Sequence, residues 1–361
     1  MKIALFHNYL DNIGGAERVT LLLARELGAH VYTTSYRPDR AAQMGSPVPV
    51  RSLGAVPVNA PWRQQLTHYR FRSARLPEAY DRHLIMGEWA LGAAVRHRPS
   101  LWYVHSPIRE IWDLYEFTRR HRVSALKRPL FDLWARMNRT LNRSDVARVG
   151  RIIANSKNTQ ARIRRYLGRD SRVIHPPVET EKYRCGEDRG YWLSVNRLIS
   201  HKRVMMQLDA FRRLPGERLV IVGCYEMSDH FKAYAEQVIR EKPANVEVLS
   251  WVDEERLREL YAGCRGLITT AQDEDFGLTA VEAMASGKPV IAPAEGGYLE
   301  TVVPGETGVL IEGIDAGKLA DEVRELGPFA GSFRDACRKR AARFGLGRFV
   351  GEIREELGAA G

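Results

Sequence analysis

Apolar runs of strand length alternate with stretches of helical period from one end of the chain to the other. Lys2 to Phe6 reads as a buried first strand. A polar loop carrying a Gly14-Gly15 pair follows, then a helix from Ala16 to Leu27 with Val19, Leu22, Leu23 and Leu27 inward. His30 to Thr34, His83 to Gly87, Leu101 to Val104 and Arg151 to Asn155 read as further strands, the last followed by Ser156 as a helix cap. Trp62 to Leu76 and Arg119 to Arg151 read as helices. Arg172 to His175 leads into Pro176-Pro177, a stiff connector after which the pattern restarts. Tyr191 to Val195, Leu219 to Gly223, Val246 to Leu249, Gly266 to Thr270, Pro289 to Ala292 and Thr307 to Glu312 read as the strands of the second half, with helices between them. Phe333 to the C-terminus reads as amphipathic helix. This alternation predicts an α/β protein: two parallel sheets with a cleft between them. The expected divisions are 1–175, 176–332, and a C-terminal helix over 333–361 that packs back on the first domain.

Length agrees with two domains, because 361 residues exceed what one ordinary core organises. The cysteines Cys185, Cys224, Cys264 and Cys337 are scattered, which supports neither a zinc site nor a disulfide framework. A reducing, cytoplasmic setting is expected. The first residues run straight into a strand rather than a signal peptide, and no apolar run approaches the ~18 residues of a membrane span. Charge changes the picture more. Residues 1–175 hold 30 Lys+Arg against 13 Asp+Glu, a net of +17, whereas the remainder holds 25 against 31, a net of −6. An Arg-rich solvated surface accounts for this without function. The functional readings are an anionic membrane, an anionic acceptor, or nucleic acid. No nucleic-acid motif accompanies the charge. In Trp62 to Leu76, the aromatics Trp62, Tyr69 and Phe71 interleave with Arg63, Arg70, Arg72 and Arg75, a pattern that suits either a helix lying on anionic lipid or a packed helix with exposed arginines.

The stretch from Thr269 to Pro293 reads as strand, acidic loop, helix and strand. Such units bind ligands at the carboxyl ends of their strands. Backbone amides of Phe276, Gly277 and Leu278 at the helix entrance favour an anion. Glu274 in the loop and Glu282 in the helix lie eight positions apart. Carboxylates repel phosphate, so their natural targets there are hydroxyls. Arg197 and Lys202, in the loop after the strand Tyr191 to Val195, form a candidate diphosphate clamp. In the first half, His105 stands at a strand's carboxyl end and is followed by Arg109 and Asp113, with Glu88 at another strand's end. Gly15 lies where a ligand can approach the backbone.

Taken together these residues resemble a known family. Glu274-Asp275-Phe276-Gly277-Leu278 with Glu282 is similar to the Glu–seven–Glu motif of retaining glycosyltransferases of family 4. Val195-Asn196-Arg197-Leu198 with Lys202 resembles that family's Gly-Arg-Leu…Lys phosphate loop, although Asn196 stands where glycine is common. Gly14-Gly15-Ala16-Glu17-Arg18 resembles its N-terminal glycine loop. His105-Ser106-Pro107…Arg109…Trp112-Asp113 is similar to a stretch of O-antigen-type mannosyltransferases. The resemblance covers nearly the whole chain and implies a GT-B fold, two Rossmann-like parallel-sheet domains facing each other across a cleft. It implies that Arg197 and Lys202 bind the donor diphosphate, that Glu274 bonds the sugar hydroxyls and Glu282 the ribose. Phe276 to Leu278 would cover the phosphates, Trp251 and Val252 would border the nucleobase, and His105 would polarise the reacting centre. Gly15 would approach phosphate or acceptor, with Arg109, Asp113 and Glu88 on the acceptor side. The chain is read as having no Asp-x-Asp for a divalent ion, and fixed cations on the leaving diphosphate act selectively in the transition state, so no metal and no cofactor are expected beside the nucleotide sugar. The implied reaction transfers a hexose with retention, best read as mannose from GDP-mannose to a lipid-linked glycan at the inner membrane face. A UDP-sugar with a soluble acceptor stays open, as does a basic nucleic-acid-binding protein of another class.

Overall fold

The computed structural model describes residues 1–11, 14–39, 48–224, 229–250 and 252–359. The chain divides into two units, Met1–His175 with Val350–Gly361, and Pro176–Phe349. Among the described residues each unit is built on one parallel sheet.

The first sheet has seven strands in the order β3-β2-β1-β4-β5-β6-β7. These are β1 (Ile3–Phe6), β2 (His30–Thr33), β3 (Val50–Ser52), β4 (Arg82–Ile85), β5 (Ser100–Val104), β6 (Arg151–Ala154) and β7 (Arg172–Val173). The helix Gly15–Leu27 returns the chain from β1 to β2 and ends at Gly28, whose φ of 61° lies in the left-handed region that glycine adopts without penalty. Ser156 Oγ accepts the Thr159 amide at 2.9 Å and starts the helix Lys157–Leu167. β3, with its exposed Arg51 and Ser52, carries too little apolar signal to be read from sequence.

The second sheet has six strands in the order β10-β9-β8-β11-β12-β13: β8 (Trp192–Arg197), β9 (Leu219–Cys224), β10 (Val246–Leu249), β11 (Leu267–Ile268), β12 (Val290–Pro293) and β13 (Gly308–Ile311). Alternate residues face two separate cores. Trp192, Leu219, Ile221, Ile268 and Ile291 pack on one face, and Leu193, Val220, Val222, Leu267 and Val290 on the other. Covering both faces is why these strands read as unbroken apolar runs rather than alternations. Each such fully buried side chain contributes about 1.5–3 kcal/mol.

The segment from Phe333 splits between the units. In the helix Arg334–Ala342, Cys337 and Ala341 join the core of the second unit. The helix Leu346–Ala359 carries Glu356, which accepts from Arg151 at 3.0 Å and Arg172 at 2.7 Å in the first unit. Cys185, Cys264 and Cys337 are free thiols; burial pushes Cys264 and Cys337 up to about 12. Among the described residues no helix is long and apolar enough to cross a membrane.

Candidate functional site

Both sheets wind outward in two directions from a central pair, β1/β4 in the first unit and β8/β11 in the second. At such a switch point the loops leaving the carboxyl ends of the two strands diverge and open a crevice. Arg197, Lys202 and Glu274 fall at the β8/β11 point and Gly15 and Glu88 at the β1/β4 point, whereas His105, Arg109 and Asp113 follow the neighbouring β5; each unit holds its own set.

In the second unit the loop after β8 is anchored by Leu198 and Ile199, both buried. It is stitched to the loop after β11. The Gln272 amide donates to the His201 carbonyl at 2.8 Å, Thr270 Oγ1 donates to the Lys202 carbonyl at 2.7 Å, and buried Gln207 donates to Thr270 Oγ1 at 2.9 Å. Arg203 adopts a left-handed φ of 53°, donates to the Thr270 carbonyl at 2.6 Å and pairs with Glu295 from the loop after β12. That third loop closes in through Gly297, whose amide donates to the Glu274 carbonyl at 2.7 Å. A Cβ on Gly297 would lie 2.3 Å from the Phe276 Cα, so only glycine permits this approach.

These stitches bring the Lys202 ammonium onto the Glu274 carboxylate as a direct ion pair. The two side chains retain 17% and 19% exposure, enough for a ligand to reach them. Arg197 is the last residue of β8 and is exposed. Gly277, at φ 92°, caps the helix Leu278–Ala285; among the described residues no side chain caps that end. Phe276 is buried against Phe344 with ring centroids 5.4 Å apart, so its side chain serves the core while its backbone borders the loop. Glu282 is buried and accepts the Tyr261 hydroxyl at 2.8 Å. Val252 is half-buried and packs against the core, and Trp251 lies outside the described residues. The expectation that the chain has no Asp-x-Asp is wrong: the loop after β11 reads Asp273-Glu274-Asp275, so that support for a metal-free site falls away. Among the described residues no group of three or more His, Cys, Asp or Glu is placed to hold a metal.

In the first unit His105 follows β5 directly. Its ring stands edge-on to Tyr103 at 5.2 Å and its carbonyl accepts from the buried Asn155 at 2.8 Å. Arg109 and Asp113 are each other's partners at 2.8 Å, and Arg162 approaches Asp113 at 3.8 Å. This nearly buried pair holds the turn after His105 rather than offering two separate groups. Asn8 Oδ1 accepts the amides of Trp89 and Ala90 at 2.9 and 2.8 Å, tying the loop after β1 to the loop after β4, where Glu88 sits. Burial raises the Glu88 carboxyl, opposed by Asn8 and His7. Glu110, unremarked in the sequence, is pushed up to about 7 by burial, with Glu88 and Asp113 adding to the rise. Gly15 opens the helix Gly15–Leu27, but the Glu17 carboxylate folds over Gly14 and lies 3.6 Å from His7 Nε2. The chain's own acid therefore occupies the helix entrance that a phosphate would favour.

Sequence reasoning did not pick out Arg203, Glu295, Thr270 or Gln207. Their roles depend on three loops converging, and no spacing along the chain encodes that. The pair of glycines after Glu295 is the one local sign of close approach.

Known families match the chain along most of its length. A family model described as Glycosyltransferase Family 4 matches residues 13–182, and one described as Glycosyl transferases group 1 matches residues 178–343, so the two together run along the chain from 13 to 343. The chain belongs to glycosyltransferase family 4. This family 4 chain is 34% identical over 143 residues to alpha-1,3/1,6-mannosyltransferase ALG2 of Dictyostelium discoideum, covering 34% of each protein. It is 29% identical over 194 residues to D-inositol 3-phosphate glycosyltransferase of Mycobacterium tuberculosis, covering 48% of this chain and 40% of that one. The matched stretches thus span about a third to two-fifths of those relatives. Among solved structures, Anabaena HepE in complex with UDP-glucose superposes with a TM-score of 0.78 at 19% identity, over 99% of this chain and all of that one. Sucrose-phosphate synthase from Thermosynechococcus elongatus gives 0.77 at 20% identity. At such identities these two show the fold alone, GT-B.

Proposed function

We propose that this family 4 chain transfers a hexose, with retention, from a nucleotide sugar to a glycan or lipid-linked glycan. The observation that carries the reading is the Lys202–Glu274 pair at the β8/β11 switch point. It sets a fixed cation for a leaving diphosphate beside a carboxylate for sugar hydroxyls. Breaking the sugar–phosphate bond leaves negative charge on the diphosphate, and a preorganised ammonium stabilises that charge without reorganising. Arg197, at the same strand end, adds a second cation. Glu282, His105 and the backbone at Phe276 to Leu278 take the family roles for ribose, sugar and phosphates, and the acceptor side is assigned to Glu88 and to the Arg109–Asp113 pair, which acts by holding the turn after His105. The fixed cations serve the diphosphate without a divalent metal.

Mannose from GDP-mannose is the donor we favour, because the mannosyltransferase relative shares 34% identity over its matched stretch. The second reading, a UDP-sugar with a soluble acceptor, is favoured by the relative whose name places inositol 3-phosphate, a small phosphorylated polyol, in its reaction. A thermal-shift screen of GDP, UDP and ADP separates the donors. GDP should raise the midpoint most; a larger shift with UDP selects the second reading, and no shift with any of them removes the nucleotide-sugar assignment. Glu274→Ala should abolish transfer while leaving the folding midpoint within a few degrees. An equal collapse of both would assign Glu274 to structure instead.

A further inference from the structure

The helix Arg128–Val146 carries its polarity inside out. Its buried positions are Ala135, Asn138, Asn142, Asp145 and Val146. The polar ones are satisfied in place. Asn138 Oδ1 accepts from Gln65 at 2.8 Å, Asn142 Oδ1 accepts from Trp112 Nε1 at 3.2 Å, and Asp145 accepts from Arg72 at 2.7 Å and lies 2.6 Å from His68 Nε2. The apolar positions Leu130, Leu133 and Met137, at i, i+3 and i+7, point away from them and are 70%, 64% and 46% exposed. Leu126, just before the helix, is 94% exposed. A surface helix ordinarily buries its apolar stripe and exposes its polar one. The adjacent helix Trp62–Ser73, joined through Gln65, His68 and Arg72, adds a second exposed row: Trp62, Leu66 and Tyr69.

The surroundings are cationic. Residues 119–151 hold ten Lys+Arg against Asp132 and Asp145. Asp145 is buried, and Asp132 is held by Arg119 at 2.8 Å and by the Tyr115 hydroxyl at 2.6 Å. Nearby Glu116 lies 3.5 Å from Arg120. Arg120, Lys127 and Arg136 are exposed.

We propose that this face docks on the interface of an anionic lipid bilayer. Leu126, Leu130, Leu133 and Met137 enter the boundary between headgroups and acyl chains. Trp62 and Tyr69 sit at headgroup depth, and Lys127 and Arg136 meet the lipid phosphates. A second copy of the chain fits less well, because two such faces would oppose like charges. Single-stranded nucleic acid calls for stacking aromatics along its track, whereas the exposed row on the Arg128–Val146 helix is aliphatic and the exposed aromatics Trp62 and Tyr69 lie on the neighbouring helix. The inference rests on this surface alone and stands whether or not the donor reading holds.

The test is co-sedimentation of the full chain with vesicles of phosphatidylcholine alone and of phosphatidylcholine with phosphatidylglycerol, across a salt series. Binding should require the anionic lipid and weaken with salt. Leu130→Ser/Leu133→Ser/Met137→Ser should reduce binding by roughly tenfold or more, because the apolar insertion is lost. Lys127→Glu/Arg136→Glu should reduce it by several-fold and flatten the salt dependence. Nucleoside diphosphate shifts should be the same in parent and variants, which separates lost docking from lost folding and from a failed donor assignment. Equal binding to neutral vesicles, no binding to either, unchanged binding by the triple variant, or an oligomer in lipid-free solution that the triple variant dissociates would each overturn the proposal.

Discussion

Lys202 and Glu274 are each other's partner within the protein, and that arrangement separates their chemical role from a structural one. The pair is partly enclosed, so removing the ammonium leaves the Glu274 carboxylate uncompensated, and Lys202→Ala should lower the thermal midpoint modestly without unfolding the protein. Charge-assisted hydrogen bonds to a diphosphate are worth ~1.5–3 kcal/mol, so turnover should fall by roughly 10- to 150-fold. Steady-state kinetics beside a melting curve checks both, and near-normal turnover would count against the diphosphate role. Glu110 makes a pH prediction. Its carboxyl titrates near 7 in the folded protein against 4.5 ordinarily, so the folded state binds more protons between those values and stability falls as pH rises through them. The loss is at most ~3 kcal/mol, less where solvent reaches the group. Glu110→Gln should narrow the gap in midpoint between pH 5 and pH 8, and an unchanged gap would place the carboxyl in water. Glu274 and Lys202 were legible in the sequence because strand ends and acidic loops announce themselves locally. Glu110 was not, because what perturbs it is burial and the nearness of Glu88 and Asp113, which the spacing of residues does not reveal.

The loops after β8, β11 and β12 act as one assembly, and Gly297 is where two of them come closest. Gly297→Ala would drive a Cβ into the backbone of Phe276 and Asp275, which cannot rotate away. Overpacking of that kind costs about 1–3 kcal/mol. The variant should lose that much stability by denaturant titration and most of its nucleotide-induced thermal shift. Retention of the full shift would mean the three loops need not be drawn together. Most strands were readable because runs such as Leu219 to Gly223 must satisfy two cores at once. The facing of the Arg128–Val146 helix was not. Its periodicity gives a stripe of Leu130, Leu133 and Met137, but the packed side is the one lined by Asn138, Asn142 and Asp145. Only partners from distant segments, Gln65, Trp112 and Arg72, make that side buriable.

At the scale of the molecule, charge is unevenly spread along the chain, with a net of +17 in residues 1–175 and −6 in the rest. A diphosphate-bearing acceptor drawn to the first unit should show a Michaelis constant that rises steeply with ionic strength, because exposed charges are screened beyond ~10 Å at 0.1 M salt. The donor, held by a partly enclosed pair, should respond less. Equal salt dependence for both would detach the charge excess from acceptor binding. On the proposed assignment of Lys202 and Arg197 to the diphosphate, a chelator should leave initial rates unchanged; loss of activity restored by a divalent ion would overturn that assignment and turn attention to Asp273 and Asp275. The division at His175 shows in sequence as Pro176-Pro177 and a restarted pattern, whereas the assignment of the last helix to one unit or the other depends on ion pairs such as Arg172 with Glu356.

The ion pair between Lys202 and Glu274 also bears on how fast the protein can turn over. If Lys202 grips the diphosphate, the ammonium must leave Glu274 as the nucleotide sugar arrives and can return to it once the sugar has moved on. The carboxylate then competes with spent nucleoside diphosphate for the same cation. An internal competitor of this kind lowers the affinity for product and shortens its residence. Glu274→Gln, which keeps the shape and removes the competing charge, should accordingly hold nucleoside diphosphate longer than the parent does.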